Sequence, residues 1–331
     1  MKVSVVIPNC NGADYLKVCL NSLKSQTTKD FKVIIVDNGS SDDSLKVINE
    51  EYIALEKSGF SKNNLILIKN KENLGFCGAV NIGIKAVDTE YVILLNNDTE
   101  AKDDFIEQSV KGIEGCKGVF SVSSKMIQLC KKNLIDNAGD GYTIFGFGFS
   151  YGTDKNVKEY TEKREVFTAC AGAAIYKTEL VKRIGLFDEN HFAYLEDIDI
   201  GYRAKIYGFK NMYNPKAIVY HVGSGFSGSK HNEFKIEKAA RNNVYLLYKN
   251  QPLPQLIINL GFIVTGCVIK YMYFLKKDKK YGAAYIKGIK EGLKTYKKCK
   301  RVKYNRRNLK NYIKIEEQLI KNTFLYICEK A

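Results

Sequence analysis

Four short apolar runs separated by three amphipathic stretches fill the first hundred residues, and this alternation restricts the chain more than any other feature of it. The runs are residues 2–8, 31–37, 65–69 and 91–95. Between them, residues 13–26 place Leu16, Cys19, Leu20 and Leu23 on one helical face, residues 42–58 follow the turn NGSSDD, and residues 78–87 form a third helical stretch. Strands joined by helices run parallel, because a tight turn cannot connect them, and their crossovers are right-handed. Such strands are buried on both faces and read as near-continuous Val, Ile and Leu. The expectation is an α/β domain built on a mostly parallel sheet flanked by helices. From residue 112 to 160 the pattern loosens, and GDGYTIFGFGFSYG reads as loops and short edge strands. Helical patterns return at residues 177–184 and 197–207, and a further strand ends at His221. Beyond Lys230 the chain reads as helical, interrupted at Pro252 and Pro254.

Three of the early strands end in polar groups. The first ends VVIPNCNG with Asn9 and Asn11, the second VIIVDNGSSD with Asp37 and Asn38, and the fourth ILLNNDTE with Asn96, Asn97 and Asp98. In a parallel sheet these tips share one edge, where open α/β sheets bind ligands. Each group also has a local reading. Asp98 or Thr99 suits the cap of a following helix, and Asp37 suits an Asx turn before Gly39. Gly75 and Gly78 suggest a loop that passes close to a ligand. Asn73 and Asn81 stand beside that loop, with helix capping and core hydrogen bonding as rival roles. No G-x-G-x-x-G follows the first strand and no G-x-x-x-x-G-K-[ST] occurs, which argues against a dinucleotide or P-loop enzyme.

The combination resembles the family 2 glycosyltransferases, which have the GT-A (nucleotide-diphospho-sugar transferase) fold. The resemblance rests on an ordered set of segments over about residues 2–225: VSVVIPNCNGADYLKVCLNSLKSQT, VIIVDNGSSDDS, NKENLGFCGAVNIGI, LLNNDTE in the place of the D-x-D or N-x-D motif, and GAAIYKTELVKRIGLFDENHFAYLEDIDIGYRAKIYGF. Its nearest flavour is the rhamnosyltransferase-like branch that builds bacterial surface polysaccharides. The resemblance implies a UDP- or dTDP-sugar donor and a divalent cation, Mg²⁺ or Mn²⁺, on its diphosphate. It also implies a saccharide acceptor, expected on a membrane lipid. Asp98 is then the main metal anchor, and His221 is a second candidate ligand whose alternative is a structural role. Asn96 takes the place of the first acid of D-x-D and suits a ribose contact. Pro8, Asn9, Asn11, Asp37, Asn38, Asn73, Gly75, Asn96 and Asn97 are the expected donor-binding residues, with Asp37 accepting from the N3–H of a pyrimidine. Asp197 is the implied general base. Glu196 and Asp199 are expected on the acceptor side, although carboxylates in a first helical turn are favoured by the dipole in any case.

The charge is unevenly placed. Residues 241–331 hold 21 Lys+Arg against 5 Asp+Glu, which leaves 31 of each in residues 1–240. A basic tail therefore follows an electrically balanced body, and such asymmetry points to an anionic partner. An uncharged segment from Gln255 to Ile269 precedes most of the lysines. It is short for a transmembrane helix and suits a re-entrant or interfacial segment better. The expectation is docking of residues 250–331 on an anionic membrane surface, with no nucleic acid as partner. Nine cysteines without a C-x-x-C pair, and an N-terminus that reads straight into a strand, suit a reducing, cytoplasmic setting at the inner face of the plasma membrane. The expected division is a catalytic domain over residues 1–230, with a nucleotide-binding half at 1–110 and an acceptor half at 111–230, followed by a basic helical extension over 231–331. The rivals are a nucleotidyltransferase on a similar sheet and a non-catalytic module that binds saccharide or nucleic acid.

Overall fold

The computed structural model describes residues 1–223 and 232–330. The first half runs β1 (Val3–Asn9), α1 (Ala13–Lys24), β2 (Phe31–Asn38), α2 (Ser44–Lys57), β3 (Leu65–Asn70), α3 (Gly75–Ala86), β4 (Tyr91–Leu95), β5 (Thr99–Ala101) and α4 (Phe105–Ile113). The second half runs β6 (Val119–Gln128), β7 (Ile135–Asn137), β8 (Asp140–Tyr142), β9 (Gly148–Ser150), β10 (Arg164–Val166), β11 (Ala173–Lys177), α5 (Thr178–Ile184), α6 (Glu196–Ile206) and β12 (Lys210–His221). Four helices close the chain: α7 (Glu233–Asn250), α8 (Leu253–Lys277), α9 (Lys279–Thr295) and α10 (Leu309–Lys330).

The expected α/β architecture is the one observed. One large sheet has the order β10-β12-β6-β11-β4-β1-β2-β3. Strands β4, β1, β2 and β3 are mutually parallel, so their C-terminal tips share an edge. Strand β11 runs antiparallel between β4 and β6, and β12 runs parallel to β6. Helices α1, α2 and α4 cover one face through Leu16, Leu20, Ile48, Leu55 and Phe105. Helices α3, α5 and α6 cover the other through Val80, Ile84, Val181 and Ile200.

Two local expectations are corrected. Thr99 does not open a helix. Residues Thr99–Ala101 form β5, which pairs antiparallel with β12, and α4 starts only at Phe105. The helix-cap reading of Asp98 is thereby removed. The region after residue 112 is also more ordered than its pattern suggests, because β6 is a ten-residue strand in the middle of the sheet. Its sequence VFSVSSKMIQ hides this, since Ser121, Ser123 and Ser124 are as buried as its apolar residues. Ser121 is satisfied by the Asn211 side chain on β12, 2.8 Å away.

The boundary expected at residues 230/231 lies outside the described residues. The helices beyond it pack against the body of the chain. Helix α10 inserts Tyr312, Ile315 and Leu319 into a cluster with Tyr142, Phe167, Tyr202 and Leu246. Leu319 is fully buried there. Removing a buried leucine side chain costs about 2–5 kcal/mol. Leu319→Ala should therefore lower the unfolding free energy of the full chain by that amount in urea titration. A loss below about 0.5 kcal/mol, typical of a surface position, would show that α10 lies outside the core.

Candidate active site

The strand tips open into a cleft of about 420 Å³. Its donor-side wall is a hydrogen-bonded row of amides. The Asn97 side chain donates to Asn9 Oδ1 at 2.7 Å, and Asn9 Nδ2 donates to Asp37 Oδ1 at 3.1 Å. Beside them, Asn38 Nδ2 donates to Asn73 Oδ1 at 2.9 Å and to the Gly75 carbonyl at 3.1 Å. This row exists because β4, β1 and β2 are adjacent and in parallel register, with Asn9 opposite Asp37. Pro8, Asn9, Asn38, Asn73, Gly75, Asn96 and Asn97 all line the cleft. Gly75 has φ +73°, and a Cβ there would sit 2.5 Å from the Phe192 ring, so the close approach requires glycine.

Two expected donor residues stand elsewhere. Asp37 is buried behind Asn9, and its second oxygen accepts from the Ser40 amide at 3.3 Å. Asn11 is exposed, with φ 50°, and its side-chain oxygen accepts from the Ser41 amide at 2.8 Å. It ties the turn after β1 to the turn after β2 and does not line the cleft.

Asp98 and His221 face the cleft together. His221 Nε2 lies 3.3 Å from Asp98 Oδ1, and His221 Nδ1 lies 2.8 Å from Asp136 Oδ2. Burial alone would lower the imidazole pKa, but hydrogen bonds to Asp136 and Asp98 outweigh it and raise it to about 10. Asp98 Oδ1 is buried, with His221 Nε2 at 3.3 Å as its ion-pair neighbour. A buried carboxylate oxygen beside a ring nitrogen whose opposite nitrogen is held by a second carboxylate fits a divalent cation. Asp136 belongs to the loosely patterned region and gave no signal in the sequence.

The opposite wall is the N-terminus of α6. Glu196 and Asp197 line the cleft from its first turn. The Thr168 hydroxyl donates to the Asp197 carbonyl at 2.7 Å. Gly201 permits this contact, because a Cβ there would lie 2.1 Å from Thr168 Oγ1. The Asp197 carboxylate accepts from the Ile198 amide at 2.7 Å. Burial and then the charge of Asp140 push the Asp197 carboxyl well above the usual carboxylate range. Burial likewise raises Glu196 to about 7. Asp140 on β8 was also not foreseen. It is buried, accepts from Asn137 Nδ2 and Ser150 Oγ at 2.7 Å each, and stands within 4.8 Å of Asp197 and Cys170. The Asp140 and Asp197 carboxyls, so placed, each make ionisation of the other harder.

Asp199 does not belong to the acceptor side. It is fully buried on the far side of α6, where Arg203, Lys249 and Asn250 bind it at 2.7–3.0 Å. Burial would raise its pKa, but the guanidinium and ammonium groups hold it far below the usual range. Its position two residues after Asp197, about 200° round the helix, turns it away from the cleft.

The loop before α6 is strained. Phe192, Tyr194 and Leu195 have φ of 64°, 73° and 63° without being glycine. Helix α7 restrains them. Asn242 Nδ2 lies 2.7–2.9 Å from the carbonyls of His191, Ala193 and Tyr194, and Arg241 Nη2 donates to those of Asn190 and His191.

Comparisons with known proteins agree with this arrangement. Residues 4–185 match the family model described as Glycosyl transferase family 2. The chain is 28% identical over 308 residues to the amylovoran biosynthesis glycosyltransferase AmsB of Erwinia amylovora, covering 88% of this chain and 96% of that protein. Among solved structures it resembles GalNAc-T7 with UDP, GalNAc and Mn²⁺, with a TM-score of 0.60 and 19% identity, over 75% of this chain and 47% of that one. It also resembles the mannosyltransferase PcManGT of Pyrobaculum calidifontis in complex with GDP-Man and Mn²⁺, with a TM-score of 0.56 and 14% identity, over 88% and 87% of the two chains. At these identities the structural likeness speaks to the fold, which is the expected GT-A fold.

Asn242→Leu should remove the side-chain donor from the Ala193 and Tyr194 carbonyls. Leaving buried acceptors unsatisfied costs about 1–3 kcal/mol, readable in urea unfolding. Faster amide exchange at residues 192–195 should accompany it. Unchanged exchange in that loop would show that α7 does not restrain it.

Proposed function

The chain belongs to glycosyl transferase family 2, and on that premise we propose that it is an inverting, metal-dependent transferase. In this reading it moves a sugar from a UDP- or dTDP-linked donor to a saccharide acceptor carried on a membrane lipid, in cell-surface polysaccharide synthesis. The observation that carries the reading is the convergence of Asp98 and Asp197, from opposite walls, on one cleft. The likeness to a protein of amylovoran biosynthesis supports the polysaccharide setting. Rhamnose remains the donor sugar suggested by the sequence resemblance. Family membership leaves the nucleotidyltransferase reading without support. A non-catalytic module would not need two separate acids aimed into one cleft.

The donor base and ribose fit along Pro8, Asn9, Asn38, Asn73 and Gly75, with Asp37 behind Asn9 and Asn96 toward the ribose. Asp98 and His221 would hold the cation, Mg²⁺ or Mn²⁺, which when bound supplies Lewis-acid neutralisation of the diphosphate. Asp136 holds His221 Nδ1 so that Nε2 points at Asp98. On the other wall, Asp197 takes the proton of the acceptor hydroxyl as its oxygen attacks the anomeric carbon, and a single displacement inverts the configuration. Glu196, whose Oε2 is buried without a partner among the described residues, binds or orients the acceptor. The cytoplasmic face of the plasma membrane is where a lipid-carried acceptor and a nucleotide-sugar meet.

Release of nucleoside diphosphate across a panel of UDP- and dTDP-sugars identifies the donor. Asp98→Asn should lose about 10²–10³ in turnover, the range for losing one charge-stabilising group. Normal turnover by this variant in EDTA would remove the metal assignment. Asp197→Asn should bind nucleotide as the wild type does yet transfer about 10²–10⁴ more slowly. Undiminished transfer would move the base to Glu196.

The pH dependence follows from the carboxyl cluster. A base must be ionised, and the Asp197 carboxyl lies well above its ordinary range, so kcat/KM should fall on the acid side at a pH where an ordinary carboxylate is still ionised. Asp140→Asn removes a charge that raises this pKa. The acid limb should then move to lower pH, and a stationary limb would separate Asp140 from the base.

A further inference from the structure

Helix α8 is built inside out. Its inward face carries Gln255 and Asn259, which are 8% and 0% exposed and both donate to Glu316 of α10. Gly266 lies on the same face, where a Cβ would sit 2.2 Å from the Phe145 carbonyl. Its outward face carries Ile257, Ile258, Leu260, Val264 and Val268, between 53% and 72% exposed. A helix facing water shows the reverse pattern. Helix α10 continues the surface. Leu309, Ile313, Ile320, Phe324 and Ile327 are 45–65% exposed and fall within about 60° on a helical wheel. That stripe adjoins Glu316, the residue that meets α8, and Leu253, Ile258, Leu309 and Ile313 together line one apolar groove between the two helices. Cations frame the apolar surface at both ends. Lys276, Lys277, Lys279 and Lys280 follow α8, and Arg301 and Lys303 stand at the groove.

We propose that the lipid bilayer is the partner of this surface, and that α8 and the outer stripe of α10 lie in the plane of an anionic leaflet without crossing it. By length and composition α8 is the one helix among the described residues able to span. Its packing opposes that orientation. The middle of α8 rests on Phe145 of the catalytic body, and α9, with Lys287, Lys290 and Lys294, packs along α8 and α7. Spanning would draw these groups into hydrocarbon. Lying flat sinks the apolar residues to the acyl boundary and leaves the lysines at the headgroups, each adding about 1 kcal/mol. A second copy of the chain fits less well, because it would bring two strongly basic tails together.

This inference deepens the membrane part of the proposed function. Vesicle binding is measured without donor or acceptor, so a soluble acceptor would overturn the lipid-acceptor reading while leaving the docking intact. The full chain should float with vesicles of equal phosphatidylglycerol and phosphatidylcholine. Part of that binding should survive high salt, which screens the lysines but does not weaken apolar burial. Ile257→Glu and Val264→Glu should each lose about tenfold or more in partitioning, whereas Ile53→Glu, an exposed apolar site on α2, should not. The chain has no tryptophan, so Val264→Trp places a single reporter near the middle of α8. Its fluorescence should be quenched more by lipids labelled near the headgroup than by lipids labelled at the chain end. Stronger quenching from the chain end would mean that α8 spans. Binding unaffected by either glutamate, or a soluble dimer that ignores vesicles, would overturn the proposal, as would a preference for RNA over vesicles at the same salt.

Discussion

Asp199 is the charge on which the second half of the molecule is organised. A fully buried carboxylate is expensive unless several donors surround it. Here Arg203 supplies two bonds from its own helix, while Lys249 and Asn250 reach in from α7. The partners are themselves shared. Arg203 also donates to the carbonyls of Ile184 and Leu186 at the end of α5, and Lys249 also binds Asp188 at 2.7 Å. One carboxylate thus fixes α5, the loop after it, α6 and α7 relative to one another. With its pKa held low, this contribution is present above the unfolded carboxylate range of about 3.9 and fades as pH falls below it. Loss of a single partner would leave an uncompensated charge, at a cost of about 3–5 kcal/mol.

The rigidity has a use at the cleft. Glu196 and Asp197 precede Asp199 on the same helical turn, so whatever holds Asp199 also sets the direction of the two acids that face the opening. The strained residues before them would relax if left to themselves. Asn242 and Arg241 hold their carbonyls from α7, the same helix that supplies Lys249 and Asn250. Helix α7 is in turn packed against α9. The closing helices and the wall that carries Glu196 and Asp197 are therefore packed as one mechanical unit.

What the sequence made legible follows from period and position. Strands β1, β2 and β4 are uninterrupted apolar runs, and their polar tips stand out because a buried strand otherwise has no use for amides. Asp98, Asn9 and Asn97 were readable for that reason. Strand β6 was not, since its buried serines imitate a loop and are satisfied only by partners such as Asn211, ninety residues away. Asp136 and Asp140 lie on or beside strands of three residues, where no period can form. Asp199 was misplaced because three acids in one helical turn look alike in sequence, and only the position of Arg203, Lys249 and Asn250 separates a structural anion from two that face the cleft. The tail's charge was plain, but charge alone said nothing of α10, whose inner residues complete the core.

The contrast between Asp199 and its neighbours is the most informative feature of the site. Within four residues one carboxyl is held far below its ordinary pKa and two are pushed above it. All three are desolvated, so burial does not distinguish them. The difference is that Asp199 meets two cations, whereas Asp197 meets the carboxyl of Asp140. A chain under selection for stability alone would place an amide at one of these positions, since a group whose folded pKa is raised loses stability as pH rises through that value. Asp140 is moreover fastened by Asn137 and Ser150, so its place beside Asp197 is built in and not incidental. Carboxyls with pKa values raised by their surroundings in this way cluster at functional sites. The same helix thus carries its own buried anchor and the two carboxyls that line the cleft, and the sequence spacing of Asp197 and Asp199 is what keeps the two environments apart.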